Sequence, residues 1–406
     1  MANSGGHFGR FLKAGIFLLL SGAVVDPAHG LMWTELSPSG EPPTPRERHT
    51  SVYDPATNRM IVFGGRDSDF NALDELWVLT HANGLGGAPH WMLLSQTGDA
   101  PGARILHTAV YNPVSNRMIV FGGRDDTNST VPADVWVLEH ANGLGGTPNW
   151  ILLSPTGGPP SDRYRQAAVY DLNTNRMIIF GGAPSPYKND VWVLDHADGL
   201  GGTPSWTALS PTGGPPPGRS STSAVYDPNT NRLIVFAGFN FSLLNDVWVL
   251  DHANGLGGTP NWTELSPTGG PPTPRTEHTA VYDPTTNGMI VFGGDDSTGP
   301  LNELWLLTQA NGLGGTPNWL LLSPAGGPPA ERILHSAIFD PASNRMTVFG
   351  GTDTETRFND VWVLVDAFAR VPQAAPVLSS IALAVLVLLL ACVGVVQIRW
   401  LRRRRS

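Results

Sequence analysis

The chain is short of cysteine, of charge and, away from its two ends, of long apolar runs. It has one cysteine in 406 residues, Cys392, which falls inside an apolar run. That excludes a disulfide framework, a thiolate metal site and a cysteine nucleophile from the rest of the chain. Charged residues make up only 15%, and no acid–base pair, nucleophile–histidine arrangement or cofactor fingerprint stands out among them. The sequence therefore calls for no cofactor and no metal, and stability must come from packing.

What the chain has in quantity is turn chemistry: 47 glycines and 36 prolines, with 13 tryptophans. Interleaved with β-branched and aromatic runs, this indicates an all-β protein. The formal charge of −9 understates the acidity of the body. Without the basic residues of the two ends and Asp26, 18 basic face 33 acidic residues. Such a body repels phosphate backbones, so nucleic acid is not an expected partner.

The ends read as export and anchoring signals. Residues 1–30 resemble a signal peptide, with Arg10 and Lys13 before the apolar run 14–25 and small residues at Ala28 and Gly30. Residues 377–396 carry no charge and would span about 30 Å as a helix, the thickness of a bilayer core. Arg399 and Arg402 to Arg405 follow, placing the tail inside and the body outside the cytoplasm. The expected organisation is a signal at 1–30, a body at 31–366, a linker at 367–376, a transmembrane helix at 377–398 and a basic tail at 399–406. A Pro-containing motif, an apolar span and a terminal arginine cluster resemble bacterial PEP-CTERM sorting tails, which implies a surface protein. The Pro-Glu-Pro hallmark itself is replaced by Val371-Pro372-Gln373, and a plain transmembrane anchor stays open beside it.

Between the ends the chain repeats. A tryptophan opens a short apolar strand at Trp33, Trp91, Trp150, Trp206, Trp262 and Trp319, at spacings of 58, 59, 56, 56 and 57 residues. One unit reads as four strands. Residues 107–111 form the first; a Pro- and Asn-bearing turn leads to 117–123; a loop of variable length leads to 134–138. A glycine-rich connection, 140–148, precedes 150–153, and a Pro/Gly segment crosses to the next unit.

Glycine doublets recur at Gly64-Gly65, Gly122-Gly123, Gly181-Gly182, Gly293-Gly294 and Gly350-Gly351, with Ala237-Gly238 in the fourth unit. A third-strand tryptophan recurs at Trp77, Trp136, Trp192, Trp248, Trp305 and Trp362, and a first-strand aromatic at Tyr53, Tyr111, Tyr170, Tyr226, Tyr282 and Phe339. These residues resemble kelch repeats over about residues 31–366, as in the central domain of galactose oxidase. The resemblance implies a β-propeller. Galactose oxidase chemistry needs a cysteine bonded to a copper-site tyrosine, and Cys392 is not placed to supply one. The chain enters on a lone fourth-type strand at Trp33 and leaves after a third-type strand at Trp362. The first strand should then complete the last blade, giving six blades.

Two rings of charge repeat in register. Glu75, Asp134, Asp190, Asp246, Glu303 and Asp360 stand two residues before each third-strand tryptophan. Arg46, Arg104, Arg163, Arg219, Arg275 and Arg332 stand three residues before His49, His107, Gln166, Thr222, His278 and His335. The arginines either pair with the acids or form an anion-binding rim at one mouth of the central channel. The histidines are either satisfied structural groups or metal ligands converging near the axis.

The loops between second and third strands vary most, and variation on a constant scaffold is where specificity sits. They carry Arg66, Asp67 and Asp69; Arg124, Asp125 and Asp126; Asn128 to Thr130; Tyr187; Phe239 and Phe241; Asp295 and Asp296; and Asp353. Together these features point to an exported, monomeric, membrane-tethered module that binds a surface protein or a glycan. A metal-assisted hydrolase or lyase using the axial histidines, or a structural envelope component, remains the alternative.

Overall fold

The computed structural model describes residues 30–125 and 133–368. The proposed signal peptide before Gly30, Asp126, the loop residues Asn128 to Thr130, most of the linker, the transmembrane helix and the basic tail lie outside the described residues. Among the described residues no helix is long and apolar enough to cross a membrane.

Six four-stranded antiparallel sheets form the blades of a closed propeller. Their first strands stand around one axis, each beside the first strands of both neighbouring blades. The second strands read as unbroken apolar runs because blades pack against both of their faces. Met60, Ile61, Val62 and Phe63 are all fully buried. The fourth strands, half exposed, alternate: Trp33 is buried while Met32 and Thr34 face outward. Each fourth-strand tryptophan packs on the second-strand phenylalanine of the preceding blade, as in Trp150 on Phe63 at 4.9 Å and Trp262 on Phe180 at 5.3 Å between ring centroids.

Closure follows the strand count. Met32–Leu36 pairs antiparallel with Val361–Val365, setting Trp33 opposite Leu364 and Glu35 opposite Trp362. The seam is packed like an interior junction, with Trp33 on Phe292 at 5.1 Å. The body also runs two residues beyond position 366. Ala367 and Phe368 are buried; a Cβ at Gly288 would lie 2.9 Å from the Phe368 ring, so a residue first assigned to the linker fills the place that glycine leaves open.

Each crossing segment covers the outer edge of the blade that it enters. Ser39 N donates to Pro89 O and Trp91 N donates to Ser39 O, both at 2.9 Å. The same parallel bridge forms at Thr97, Thr156, Thr212, Thr268 and, at the seam, Ala325.

Two turn features set the faces. The hairpin asparagines Asn58, Asn116, Asn175, Asn231, Asn287 and Asn344 all sit at φ between 52° and 55°, a region that Asn tolerates. The glycine doublets lie just past the second strands, except in the fourth blade, where Arg232–Phe239 runs through the doublet with a register shift between Phe236 and Gly238. At Gly65 (φ 99°) a Cβ would lie 2.8 Å from both Glu47 O and His49 Cβ, so only glycine lets the loop return against the crossing segment. That return brings Arg66 into antiparallel bridge with Glu47, Arg124 with Ile105 and Asp295 with Thr276. The variable loops and the crossings therefore share the face at one mouth of the channel, and the glycine-rich connections lie on the other.

Candidate functional site

The six arginines are turned into the blades and pair with the ring of acids, the first of the two arrangements expected for them. Arg46, Arg163, Arg219, Arg275 and Arg332 are fully buried and Arg104 nearly so. Nη1 of each donates to a carbonyl at the glycine doublet, Gly64 for Arg46 at 3.1 Å and Ala237 for Arg219 at 3.0 Å. The four aspartates take both arms of the fork, as in Arg219 to Asp246 at 2.6 and 2.8 Å. The two glutamates take one, Arg46 to Glu75 at 2.7 Å and Arg275 to Glu303 at 2.7 Å, and Nη2 of each also donates to a threonine two residues earlier, Thr44 or Thr273. Each acid accepts in addition from the indole of its own third-strand tryptophan, as Asp246 does from Trp248 at 2.8 Å. Burial opposes ionisation of Asp246, yet the bonds from Arg219 and Trp248 hold its carboxyl below the usual range.

One layer along the axis lie the histidines. Each reaches back to a hydroxyl on the preceding blade: His49 to Ser336, His107 to Thr50, His278 to Ser223 and His335 to Thr279, all at 2.8 Å. Gln166 donates likewise to Thr108 at 3.3 Å. The ring is broken only between the third and fourth blades, where Thr222 bonds within its own blade to Phe236 O at 2.9 Å and the facing position holds Ala167, which has no hydroxyl. Burial, with the neighbouring arginines, pushes His49 and His278 down to about 3 and His107 and His335 well below the usual range. The imidazoles are neutral and engaged one by one. Among the described residues no three His, Cys, Asp or Glu side chains come together to hold a metal ion.

The mouth itself is built by the position just before each histidine: Arg48, Leu106, Arg165, Ser221, Glu277 and Leu334. All six take positive φ, between 50° and 61°. Their backbones bond in a closed circuit around the axis. Arg48 N donates to Leu334 O, Leu334 to Glu277, Glu277 to Ser221, Ser221 to Arg165, Arg165 to Leu106 and Leu106 to Arg48, at 2.9 to 3.3 Å. Sequence reasoning passed over these residues. The signal was there: they differ from unit to unit while standing two residues after an arginine that all six units keep.

Around the mouth stand the loop residues. Arg66 bonds Glu47 through Nε at 3.0 Å and Nη2 at 2.6 Å, and Arg357 bonds the same carboxylate at 3.1 Å. Both guanidinium groups lie over the Phe70 ring, at 5.1 and 4.5 Å. Arg124, beside Asp125, lies over Tyr164 at 5.5 Å. Tyr187, Phe239 and Phe241 form one cluster, with Tyr187 at 5.8 and 5.3 Å from the two phenylalanine rings. Asp67 and Asp353 shape their own loops by accepting from backbone N–H groups of Asp69 and Asn71, and of Glu355 and Thr356. Burial and Asp296 raise the Asp295 carboxyl. The aromatic loop residues of the third and fourth blades thus meet in one patch, whereas Arg66, Arg124, Asp295 and Asp353 stay with separate loops. Phe70 and Arg357 were not foreseen.

Comparisons agree with this architecture. The model of the KLHDC2/KLHL20/DRC7 Kelch-repeats domain matches residues 23–198, 88–255, 175–312 and 257–367. The chain is 28% identical over 274 residues to acyl-CoA-binding domain-containing protein 5 of Arabidopsis thaliana, covering 66% of this chain and 39% of that protein. It is 29% identical over 273 residues to human host cell factor 1, covering 63% of this chain and 12% of that protein. The matches thus span well under half the length of these relatives. The solved structure titled "Structure of YjhT" superposes with a TM-score of 0.56 at 16% identity, covering 79% of this chain and 95% of that one; it speaks to the fold alone.

Proposed function

The chain belongs to the kelch-repeat family, and from that premise we propose that it is a protein-binding module that docks its partner on the loop face around the channel mouth. The observation that carries this reading is the pair of exposed phenylalanines at loop tips. Phe70 is 62% exposed at φ 66° and Phe241 is 76% exposed at φ 55°. A bulky side chain in left-handed backbone costs free energy, and here that strain serves no core: it holds apolar rings in water on one face. Recognition by aromatic anchors with a polar surround is the usual anatomy of a protein interface.

The proposal extends to location. The basic and apolar stretch before residue 26, and the uncharged residues 377–396 followed by five arginines, support a propeller held outside the cytoplasm by a membrane tether. A glycan is a second candidate for the same aromatic face, through stacking on Tyr187 and Phe241. The hydrolase or lyase reading gains nothing from the geometry, because each axial imidazole gives its Nε2 to a hydroxyl of the preceding blade and, among the described residues, no three His, Cys, Asp or Glu side chains gather to hold a metal ion.

The test is a quantitative cross-linked pull-down with the full-length chain, with Phe70→Ser/Phe241→Ser, and with Leu144→Ser on the opposite face. The reading expects partners held by the wild type and by Leu144→Ser to be depleted at least tenfold by the double change. Equal recovery from all three would move the docking surface elsewhere.

A further inference from the structure

The channel mouth opens into a chamber of about 190 Å³, lined by the six mouth residues and the histidine layer beneath them. Its charges alternate around the axis. Arg48, Arg165 and Glu277 stand on the first, third and fifth blades, with Leu106, Ser221 and Leu334 between them. Glu277 is taken by Arg165 at 2.8 Å. Glu47, the acid nearest Arg48, lies 3.6 Å from its Nε and is already held by Arg66 and Arg357. The Arg48 guanidinium is left with no hydrogen bond, although the side chain is only 17% exposed, and its Nε is buried without a partner, as is that of Arg165.

Besides Nδ1 of the four histidines, two more polar atoms in the wall lack partners: Ser221 Oγ and the side-chain carbonyl Gln166 Oε1, both buried. Their residues stand on adjoining blades and are joined through the main chain, since Ser221 N donates to the carbonyl of Arg165, next to Gln166, at 2.9 Å. They also sit at the junction where the histidine ring is broken. The small residues Ala167 and Thr222 leave room there that an imidazole and its hydroxyl partner occupy elsewhere. The chamber therefore offers two guanidinium donors on one side. On the other it offers one hydroxyl and one carbonyl acceptor, in the space of about six waters.

We propose that this chamber is a binding site for a small hydroxycarboxylic acid. The carboxylate lies between the guanidinium groups of Arg48 and Arg165, and the hydroxyl donates to Gln166 Oε1 while accepting from Ser221 Oγ. A carboxylate supplies the negative charge that the mouth lacks and matches the fork geometry of arginine. The hydroxyl satisfies two groups that are costly to leave bare. The site is independent of the loop-face docking surface, because none of its residues is a loop-tip aromatic.

Calorimetric titration of the full-length chain with lactate, and with propionate as the analogue lacking the hydroxyl, tests this. Lactate should bind at least tenfold more tightly than propionate. Arg48→Asn, a residue that tolerates positive φ, should weaken both acids at least tenfold. Ser221→Gly, which relaxes the backbone there, should erase the preference for lactate and leave propionate unchanged. Ala167→Ser/Thr222→His rebuilds the missing link of the ring and fills the chamber, so it should abolish binding of both. Heats of dilution alone with the wild type would mean a chamber filled by water and overturn the proposal. So would an unaltered affinity in Arg48→Asn or in the filled double variant.

Discussion

The Asn112 side-chain amide donates to the Asp198 carboxylate at 2.8 Å, reversing the arrangement found at four other blade junctions. There the asparagine stands on the glycine-rich connection and the aspartate ends the first strand of the preceding blade: Asn83 with Asp340, Asn142 with Asp54, Asn254 with Asp171 and Asn311 with Asp227, each at 2.7 Å. Both partners changed together, so the bond and its single charge survive the exchange.

Exchanging them back should therefore be nearly neutral, while either half alone should not. Asp198→Asn leaves two amides and Asn112→Asp sets two carboxylates together. Each should cost about 1–3 kcal/mol, from a buried polar group left badly matched. The double change should recover most of that. A double-mutant cycle by urea denaturation reads the coupling directly; additive losses would mean that the bond carries no weight.

The arginine–acid pairs should be strongly sensitive to losing one member. Asp246→Ala strands the fully buried Arg219 guanidinium, and breaking a buried pair in this way costs about 3–5 kcal/mol. Phe241→Ser, on an exposed tip, should change stability by no more than about 0.5 kcal/mol. Urea midpoints of the two variants check the contrast.

Stability should rise with pH between about 3 and 6.5. Burial, with Arg46 and Arg275 nearby, holds His49 and His278 down to about 3 in the fold, whereas an unfolded histidine titrates near 6.5. Within that window the unfolded chain binds protons that the folded chain refuses, so acid favours unfolding. Each such histidine adds up to about 1.4 kcal/mol per pH unit. His278→Gln borrows the residue that the third blade uses at this position and keeps a donor for Ser223. Its stability curve measured from pH 4 to 7 should be flatter than that of the wild type.

The seam should be as strong as an interior junction. Trp33→Ala and Trp262→Ala remove equivalent buried rings, and each should cost about 3–5 kcal/mol. A much smaller loss at Trp33, measured by urea denaturation, would show that the ring opens there before it unfolds.

What could be read from the sequence is what every blade needs. The tryptophans, the doublets, the hairpin asparagines and the arginine–acid pairs each answer a steric or electrostatic demand that arises six times, so they recur and can be aligned against one another. The mouth could not be read that way. Arg48, Arg165 and Glu277 occupy a position whose backbone is constant and whose side chain is not, and they find one another only across the axis. Gly288 and Phe368 are single departures that make sense as a pair in space, and each looks like an irregularity when read alone. The third partner of each acid, the tryptophan indole, went unnoticed because the ring was credited with packing only.

The crossing segments have a consequence for how anything else can attach. With Ser39, Thr97, Thr156, Thr212, Thr268 and Ala325 each laid along a fourth strand, the rim of the disc has little main-chain hydrogen bonding left to offer at those positions. An incoming polypeptide is poorly placed to extend a blade, and copies of the chain are hindered from zipping together side by side. Whatever adheres must be recognised through side chains, and its affinity can be retuned by substitutions that leave the scaffold untouched.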